Sequence, residues 1–463
     1  MKNRTYIKDL KERVGTEVTI AGWVDVRRDH GKLIFIDLRD MSGKVQMVAL
    51  PSHKEAHALA TTARSEWVLQ VSGKVNARPE KMVNKEEPNG AVELEILSIE
   101  VLNEALTPPF DVRGDGHEIG EETRLKYRYL DLRRPRVNKN IKIRSEYVDR
   151  IRQFLFSKGF TEIETPYFTS TTPEGSRDFV VPSRMYPGKF FALPQSPQQY
   201  KQLLMVAGFE RYFQIARCFR DEDLRADRGF EHTQIDLEVS FTTREEVMEL
   251  DEEMMTITAE AMGYKIKEKP FPRFTYKEAM EKFGADKFDL RTEEDKKNGI
   301  LAFAWVTDFP FFEKDKEGKW TFTHNPFSMP AHEHLEWHLR GEHIEKIVTQ
   351  QYDLVCNGFE TGGGSIRAHK PEILKATFKI MGYDGAQIEK EFGHMLQAFS
   401  YGAPPHGGIA HGVERLIMIL TGERELREVQ SFPQTSSGRT AVMDAPSELS
   451  QKQLKELGIK LQK

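Results

Sequence analysis

The sequence predicts an α+β protein in which a small N-terminal β-barrel precedes a larger domain of helices and strands. Between residues 17 and 102, short segments carry apolar residues at every second position, which is the period of half-buried strands. Beyond residue 140, helical spacing alternates with short strand patterns. The chain has 463 residues, which exceeds one typical core, and we therefore expect two or three domains.

The N-terminal segment contains five strand patterns and one helical pattern. The first strand has apolar or small residues at alternating positions: Val18, Ile20, Gly22, Val24 and Val26. Two further strands follow, and the segment HKEAHALATTAR after them is rich in helix-forming residues. Two more strands complete the set. This order is that of an OB-fold barrel, whose exposed face commonly binds single-stranded nucleic acid, although a small barrel without that role has the same order.

Breaks in these patterns give the domain boundaries. Pro108, Pro109, Gly114 and Gly116 interrupt both regular periods and indicate a linker. We predict four regions: an OB-fold domain at 1–105, a linker or hinge at 106–135, a second domain at 136–445 and a polar tail, helical or loose, at 446–463.

A long helix is expected early in the second domain. Val148, Ile151 and Leu155 have helical spacing within residues 141–158. Gly159 suits the end of this helix, and the strand pattern FTEIETP follows it.

Composition excludes several classes of protein. Charged residues make up 30% and hydrophobic residues 39%, and no apolar run approaches the roughly 20 residues of a membrane helix. The first residues, MKNRTYIKDL, lack an apolar signal region, so we expect a cytoplasmic protein. Cys218 and Cys356 cannot form a disulfide framework or a four-thiolate site, and no Cys/His cluster indicates zinc. The net charge of -5 leaves a local RNA-binding face possible.

No segment matches the phosphate-binding loop G-x-x-x-x-G-K-[ST]. The densest glycine cluster is Gly362-Gly363-Gly364. Such a cluster more often serves a tight turn or close packing of backbones than a phosphate.

Three segments instead carry a specific resemblance. They are the helix and strand that end at Pro166, CFRDEDLRADRGFEHTQIDLEVSF from Cys218 and GGIAHGVERLIMIL from Gly407. Each alone is unspecific, because an Arg-rich loop is usually a solvated hairpin. In this order, behind an OB-like barrel, they closely resemble motifs 1, 2 and 3 of class II aminoacyl-tRNA synthetases, at about 141–168, 212–241 and 407–420. The resemblance implies an antiparallel sheet flanked by helices that binds ATP with two arginines.

Further segments resemble the bacterial aspartyl branch of this family: RYLDLRRP from Arg128, TPEGSRDF from Thr172, LPQSPQQYKQLLM from Leu193 and YDLVCNGFETGGGSIR from Tyr352. The resemblance covers essentially the whole chain. It implies ATP-dependent attachment of L-aspartate to tRNA through an aspartyl-adenylate. One departure is large, because bacterial members carry an inserted domain between KFGADKFDLR and LAFAWVTDFPFF, where this chain has only a short charged connector.

The resemblance assigns an ATP site with Arg220 and Arg415 as the catalytic residues. Arg220 would hold the α-phosphate and the reacting carboxylate with its planar guanidinium, and Arg415 would bind the far phosphates. Asp353 and Glu360 would hold Mg²⁺, which prefers carboxylates shared with substrate phosphates. The other expected ATP contacts are Asp221, Glu222, His232, Glu360, Gly412, Val413 and Glu414. A surface ion pair is the alternative role for these charged residues, above all for Glu222.

The resemblance also assigns an aspartate pocket. Lys201 and Arg367 would bind the side-chain carboxylate, with Arg220 on the reacting carboxylate. The ammonium and orienting contacts would come from Glu174, Ser196, Gln198, Asp236 and His324. Asparagine would leave the two cations short of a negative partner, at a cost of roughly 3 to 5 kcal/mol, so that charge alone can reject it.

The barrel is expected to bind the tRNA anticodon. Phe35 could stack on an unpaired base for about 1 to 3 kcal/mol, although a lone strand Phe is usually core. The other expected anticodon residues are Arg27, Arg28, His30, Gly31, Gln46 and Arg78. His30-Gly31 occupies the loop where family members that charge both aspartate and asparagine tRNAs carry His-Gly, although the pair can equally form a simple turn. Charging of both tRNAs would imply a partner amidotransferase.

Three residues depart from the family pattern at the ATP and aspartate sites. His232 occupies the position where the family usually has a phenylalanine packed against adenine. Gly229 replaces a side chain that usually contacts ATP, and Asn325 replaces the second of two histidines beside the aspartate site.

Three alternative functions remain at this point: an asparaginyl or lysyl relative, an enzyme restricted to tRNA(Asp), and a noncatalytic tRNA-binding paralogue. Lys201 with Arg367 disfavours the first, and Arg220 with Arg415 disfavours the last. By resemblance, motif 1 implies a homodimer.

Overall fold

A computed structural model describes residues 4–171 and 175–461. The chain divides into two compact units, residues 1–111 and 112–463. In the described part of the chain, no helix is both long enough and apolar enough to cross a membrane.

The N-terminal unit is a closed five-stranded barrel in the strand order β1-β2-β3-β5-β4. Its elements follow the predicted OB-fold order: β1 Glu17–Asp29, β2 Ile34–Asp40, β3 Gly43–Ala49, α1 Lys54–Thr62, β4 Val68–Ala77 and β5 Val92–Asn103. The predicted fold of this unit is confirmed, because the alternating apolar residues of all five strands line one barrel core.

The alternation of β1 fails at Val26 for a local reason. The register between β1 and β2 shifts after Val24, so that Asp25 is an extra residue in a β-bulge. Asp25 is buried and accepts a hydrogen bond of 3.2 Å from Arg39. Val26 is therefore only half-buried, although the sequence pattern places it in the core.

The larger unit contains an eight-stranded sheet in the order β11-β12-β15-β16-β17-β10-β9-β6, with small hairpins β7-β8 and β13-β14. The strands are β6 Thr161–Glu162, β7 Val180–Pro182, β8 Phe190–Ala192, β9 Arg211–Phe219, β10 Glu231–Ser240, β11 Arg273–Thr275, β12 Phe303–Thr307, β13 Phe312–Lys314, β14 Trp320–Phe322, β15 Gln351–Cys356, β16 Phe359–Ile366 and β17 His406–Gly412. All pairs within the sheet are antiparallel except the two at its edges.

Helices flank this sheet, as the α+β prediction requires. They are α2 Glu121–Lys126, α3 Arg128–Asp131, α4 Pro135–Ser157, α5 Gln198–Val206, α6 Arg244–Ala261, α7 Tyr276–Phe283, α8 Glu293–Lys297, α9 Leu335–Arg340, α10 Pro371–Ile380, α11 Gly385–Ser400, α12 Val413–Thr421 and α13 Gln451–Leu457. The motif 1 helix α4 begins earlier than residue 141, because Pro135 opens its first turn, and the chain leaves it at Gly159 with a φ of 77°.

Strand β10 separates the core from the polar face of the sheet. Ile235, Leu237 and Val239 pack into the core with residues of α4, α6 and α12. Asp236 and Glu238 alternate with them and therefore lie on the opposite face. One face of the sheet is thus an apolar core, and the other carries charged groups.

The segment predicted as a linker, 106–135, is partly folded in the larger unit. It contains α2 and α3, where Asp131 is fully buried. Its carboxylate accepts hydrogen bonds from Arg124 at 3.0 Å, Arg128 at 2.5 Å and Arg134 at 2.8 Å. Although burial favours the neutral carboxyl, these arginines hold the pKa of Asp131 below its usual value. The RYLDLRRP segment therefore contains a structural ion cluster.

We expect Asp131→Asn to destabilise the larger unit by about 3 to 5 kcal/mol, because it leaves buried guanidinium groups without their anion. Urea unfolding followed by circular dichroism measures the change. The matched control is Asp149→Asn on the exposed face of α4, whose expected effect is below about 0.5 kcal/mol. Equal stability of the two variants would contradict the structural role of Asp131.

Candidate active site

A cavity of about 340 Å³ opens on the polar face of the eight-stranded sheet. Strands β10, β16 and β17 form its floor, and α5 and α12 contribute residues to its wall. Most of the residues expected at the ATP and aspartate sites line it: Ser196, Gln198, Lys201, Arg220, Glu222, His232, Asp236, His324, Glu360, Arg367, Gly412, Glu414 and Arg415. Folding thus brings together residues that are more than 200 positions apart in the sequence.

Four expected residues are not in this lining. Asp221 follows Arg220 and pairs with Arg177 at 3.5 Å, and Val413 is buried in the apolar core. Asp353 lies just beneath the surface of the cavity, where it is only 2% exposed. Glu174 lies outside the described residues.

Two buried cations and two buried carboxylates form one end of the cavity. Lys201 Nζ lies 2.5 Å from Asp236 Oδ1 and 3.2 Å from Glu238 Oε2. The Arg367 guanidinium donates two hydrogen bonds to Glu238, at 2.8 and 3.1 Å. All four side chains are at most 3% exposed. This arrangement can recognise an anionic ligand without burying an unpaired positive charge in the free protein.

The pKa values of the two carboxylates reflect this cluster. Burial opposes ionisation of Glu238, but the charges of Arg367 and Lys201 outweigh it and lower the pKa of Glu238 to about 2. Burial raises the pKa of Asp236 above its usual value, although Lys201 counteracts the shift. Glu238 is missing from the sequence-based site, although its alternation with Asp236 on β10 could have revealed it.

The opposite end of the cavity carries half-buried cations. Arg415 Nη1 donates a hydrogen bond of 3.1 Å to the carbonyl oxygen of Glu360, and Arg415 Nη2 lies 3.2 Å from Asp227. Arg228 lies 3.4 Å from Glu222. These ion pairs are partly open to solvent, so that a polyphosphate could displace the carboxylates from the arginines.

His232 lies between the two ends of the cavity. Burial, together with the positive charge of Arg220, lowers the pKa of His232 to about 3, so that the imidazole is neutral at physiological pH. A neutral ring can stack on a nucleobase. A Cβ at Gly229 would make only ordinary contacts, at 3.5 Å or more, so no steric constraint requires glycine there.

Glu414 and Asn325 hold parts of the cavity wall in place. Glu414 accepts a hydrogen bond of 3.0 Å from the backbone of Thr233 and pairs with Arg144 of α4 at 2.9 Å. Asn325 donates to Gln351 at 3.2 Å and accepts from the backbone of Phe327 at 3.0 Å. Both side chains are engaged with the protein itself.

Asp353 and Glu360 flank the bare side of Gly363. A Cβ on that glycine would lie 3.0 Å from Asp353 Oδ1 and 3.7 Å from Glu360 Oε1. Burial raises the pKa of Asp353 to about 7, and the charge of Glu360 contributes to the rise. The pKa of Glu360 falls to about 2, because Lys287 and Arg415 outweigh its burial. Two neighbouring carboxylates fit a hard divalent cation that shares its ligands with a substrate.

The glycine cluster serves close packing of strands. A Cβ at Gly362 would lie 2.3 Å from the His411 ring, and one at Gly364 would lie 2.3 Å from the carbonyl oxygen of Gly408. The interpretation as close backbone packing therefore holds for Gly364, whereas Gly362 leaves room for a side-chain ring.

The barrel has its own polar surface. Arg28 donates two hydrogen bonds to Asp37, at 2.7 and 2.8 Å, and one of 3.3 Å to Gln46. The half-buried Phe35 packs edge-on against His30, with ring centroids 5.6 Å apart. Phe35, Asp37 and Gln46 lie on the outer face of β2 and β3, because each alternates with buried residues. Arg28 meets this face through its hydrogen bonds to Asp37 and Gln46.

The remaining expected anticodon residues differ in position. Arg78 lines the same hollow as Arg28 and Gln46. Gly31 turns the chain with a φ of 76°, and its backbone amide donates a hydrogen bond of 2.9 Å to the Asp29 carboxylate. Arg27 lies on the opposite side of β1 and donates to the carbonyl oxygen of Thr61 in α1. The structure therefore separates Arg27 from the other residues.

Comparisons with known proteins agree with this architecture. The family described as tRNA synthetases class II (D, K and N) matches residues 120–436, and the family described as OB-fold nucleic acid binding domain matches residues 18–102. Among solved structures, the asparaginyl-tRNA synthetase of Pyrococcus horikoshii, in complex with asparaginyl-adenylate, superimposes with a TM-score of 0.76 at 23% identity, covering 94% of this chain and 99% of that chain. The aspartyl-tRNA synthetase of Entamoeba histolytica superimposes with a TM-score of 0.73 at 23% identity, covering 93% of this chain and 91% of that chain.

Curated relatives are more similar in sequence. The Aspartate--tRNA(Asp/Asn) ligase of Rubrobacter xylanophilus is 41% identical, covering 97% of this chain and 95% of its own. The protein of the same name from Syntrophomonas wolfei is 40% identical, covering 97% of each. These alignments run over 572 and 573 positions, more than the 463 residues of this chain, so the relatives contain residues without a counterpart here. The chain belongs to the class II tRNA synthetases, in the family of the aspartate--tRNA ligases.

Proposed function

We propose that this protein attaches L-aspartate to tRNA in two steps, using ATP and passing through an aspartyl-adenylate, and that it charges both tRNA(Asp) and tRNA(Asn). The observation that carries the proposal is the buried pair of cations, Lys201 and Arg367, at one end of a cavity whose other end holds Arg415. The relatives at about 40% identity are named for this activity on both tRNAs.

In the first step, an oxygen of the aspartate α-carboxylate attacks the α-phosphorus of ATP, and pyrophosphate leaves with the electrons of the broken P–O bond. Arg220 would bind both the α-phosphate and the attacking carboxylate, and so bring the two anions together. Arg415 would bind the far phosphates, and the neutral imidazole of His232 would stack on adenine. The step requires positioning and charge neutralisation more than proton transfer.

Lys201 and Arg367 would bind the side-chain carboxylate of aspartate, and Asp236 would accept a hydrogen bond from its ammonium group. Glu238 is a positioning residue, because it holds both cations in the free protein. Asparagine offers an amide in place of the carboxylate. Because Lys201 and Arg367 already pair with Asp236 and Glu238, the cost of asparagine is the loss of charge-assisted hydrogen bonds to these cations, about 1.5 to 3 kcal/mol each. That difference rejects asparagine without an editing site.

Asp353 and Glu360 would hold Mg²⁺ with the phosphates of ATP. When bound, the ion neutralises phosphate charge and supports the departure of pyrophosphate. In the second step the terminal ribose hydroxyl of tRNA attacks the carbonyl carbon of the adenylate, and AMP leaves. The described side chains offer no evident general base, so a phosphate oxygen of the adenylate would take the proton.

The barrel would bind the anticodon through Phe35, Arg28, Gln46 and Arg78, and His30 would sit beside the third anticodon base. The small Gly31 and the adaptable imidazole of His30 leave this loop able to accept either tRNA. The proposal includes a cytoplasmic homodimer that meets through motif 1, and an amidotransferase that converts aspartyl-tRNA(Asn).

The first test is aminoacylation with labelled aspartate on separate tRNA(Asp) and tRNA(Asn) transcripts. We expect both to be charged, and labelled asparagine not to be used. In His30→Leu, charging of tRNA(Asn) should fall by about ten-fold relative to tRNA(Asp), because the bulkier apolar side chain loses the hydrogen-bonding ring. Charging of tRNA(Asp) by the same variant is the internal control. A wild-type protein that charges only tRNA(Asp) would refute the dual specificity, and one that charges neither would refute the activity.

Lys201→Met should raise the aspartate concentration needed for half-maximal ATP–pyrophosphate exchange by roughly 100-fold or more, because the side-chain carboxylate loses a buried cation. The dissociation constant for ATP should change by less than about three-fold. Lys158→Met, which removes an exposed lysine paired with Glu253, is the matched control. An equal loss of ATP and aspartate binding would indicate a purely structural role for Lys201.

His232→Phe should tighten ATP binding by about two- to ten-fold, because phenylalanine presents more apolar area to adenine. Because the lowered pKa of about 3 keeps His232 neutral above that pH, its charge does not change between about pH 5.5 and 8. The ratio of ATP dissociation constants of the two proteins, measured by calorimetry, should therefore be constant over this range. A ratio that changes near pH 6.5 would contradict the neutral imidazole.

A further inference from the structure

A lysine outside the three motifs pairs with a residue that lines the Arg415 end of the cavity. Lys287 lies in the segment between α7 and α8, and its Nζ is 2.7 Å from Glu360 Oε2. Neighbouring charges pair locally: Arg291 of the same segment with Asp289 at 2.8 Å, and Lys296 with Glu293 at 2.7 Å within α8. Lys287 instead makes an ion pair with a residue that lines the cavity.

Packing and a backbone hydrogen bond of the neighbouring residue fix the backbone at Lys287. The next residue, Phe288, is 7% exposed and stacks on Phe283 with ring centroids 4.1 Å apart. Its carbonyl oxygen accepts a hydrogen bond of 3.1 Å from Gly358, in the turn between β15 and β16. Glu360 lies two residues beyond that turn. The lysine and its carboxylate partner are therefore held in one rigid local arrangement, which lowers the cost of ordering the ammonium group.

Glu360 contacts two cations, Arg415 and Lys287, and also faces the space beside Gly363. Its carbonyl oxygen accepts from Arg415, and its carboxylate oxygen Oε2 pairs with Lys287. The other oxygen, Oε1, faces the bare side of Gly363, where Asp353 also points. Lys287 can thus keep its place beside Glu360 while Oε1 serves as a ligand on the far side.

We propose that Lys287 binds the β- and γ-phosphates of ATP and the pyrophosphate that leaves. The inference rests on the proposed function, because the same cavity must hold ATP. The side chain is 40% exposed, so its ammonium can contact a ligand while it remains near Glu360. Negative charge on the leaving pyrophosphate grows as the P–O bond breaks, and a fixed cation beside Arg415 stabilises that charge. In the free protein, Glu360 holds the ammonium group ready.

The alternative is a structural ion pair that only fixes the segment between α7 and α8 to β16. The two roles differ in their ligand dependence. A structural ion pair would affect every ligand of the cavity alike, whereas a phosphate-binding lysine affects only ligands that carry the β- and γ-phosphates. AMP lacks these groups and is the discriminating ligand.

The test is calorimetric binding of ATP, inorganic pyrophosphate and AMP, with Mg²⁺, to the full-length wild type and Lys287→Met. We expect the dissociation constants of ATP and pyrophosphate to rise roughly 10- to 100-fold and that of AMP to change by less than about two-fold. Lys287→Arg should recover most of the loss, because it keeps the charge. Lys296→Met removes an exposed lysine of the next helix, α8, and is the matched control, with binding equal to that of the wild type.

Wild-type affinity of Lys287→Met for ATP and pyrophosphate would overturn the proposal, and so would an equal loss for AMP. Aspartate-dependent ATP–pyrophosphate exchange by the wild type is measured in parallel. Absence of that exchange would refute the proposed function, whereas an active wild type with an unaffected Lys287→Met would refute the role of Lys287 alone.

Discussion

The architecture of the site depends on the buried ion cluster formed by Lys201, Arg367, Asp236 and Glu238. Two cations could not remain ionised on the floor of the sheet without these carboxylates, because desolvation of an unpaired charge is too costly. Glu238 contacts both cations and is thus the centre of the cluster. The cluster keeps two positive charges buried at one end of the cavity.

The ion pairs at the two ends of the cavity differ in their exposure to solvent. At the end formed by Lys201 and Arg367, the ion pairs are enclosed and fixed by short contacts. At the opposite end, Arg415 pairs with Asp227, and Lys287 with Glu360, in positions that solvent can reach. Ion pairs open to solvent are weak, so an anionic ligand can exchange with these carboxylates. The enclosed pairs are thus the fixed part of the site, and the open pairs are the part that a ligand can rearrange.

Close approach of backbones makes this arrangement possible. Gly362 and Gly364 leave room for the His411 ring and for the neighbouring strand, and Gly363 opens the space between Asp353 and Glu360. A larger residue at any of the three positions would push β16 away or fill the space between the carboxylates.

The buried ion cluster around Asp131 has a structural role, because it holds α2, α3 and the segment after α12 together.

The sequence by itself determined the barrel, the α+β sheet and most residues of the cavity. Period-two alternation predicts the barrel strands because each buries one face, apart from the bulge in β1. The motif residues carry their chemistry in their identity and order. Only the tertiary structure decided which charges meet. It brought Glu238 between Lys201 and Arg367, set Arg27 apart from Arg28, turned RYLDLRRP into a structural cluster and carried Lys287 to Glu360. These contacts join residues distant in sequence, and their partners depend on strand register and packing, which no local pattern encodes.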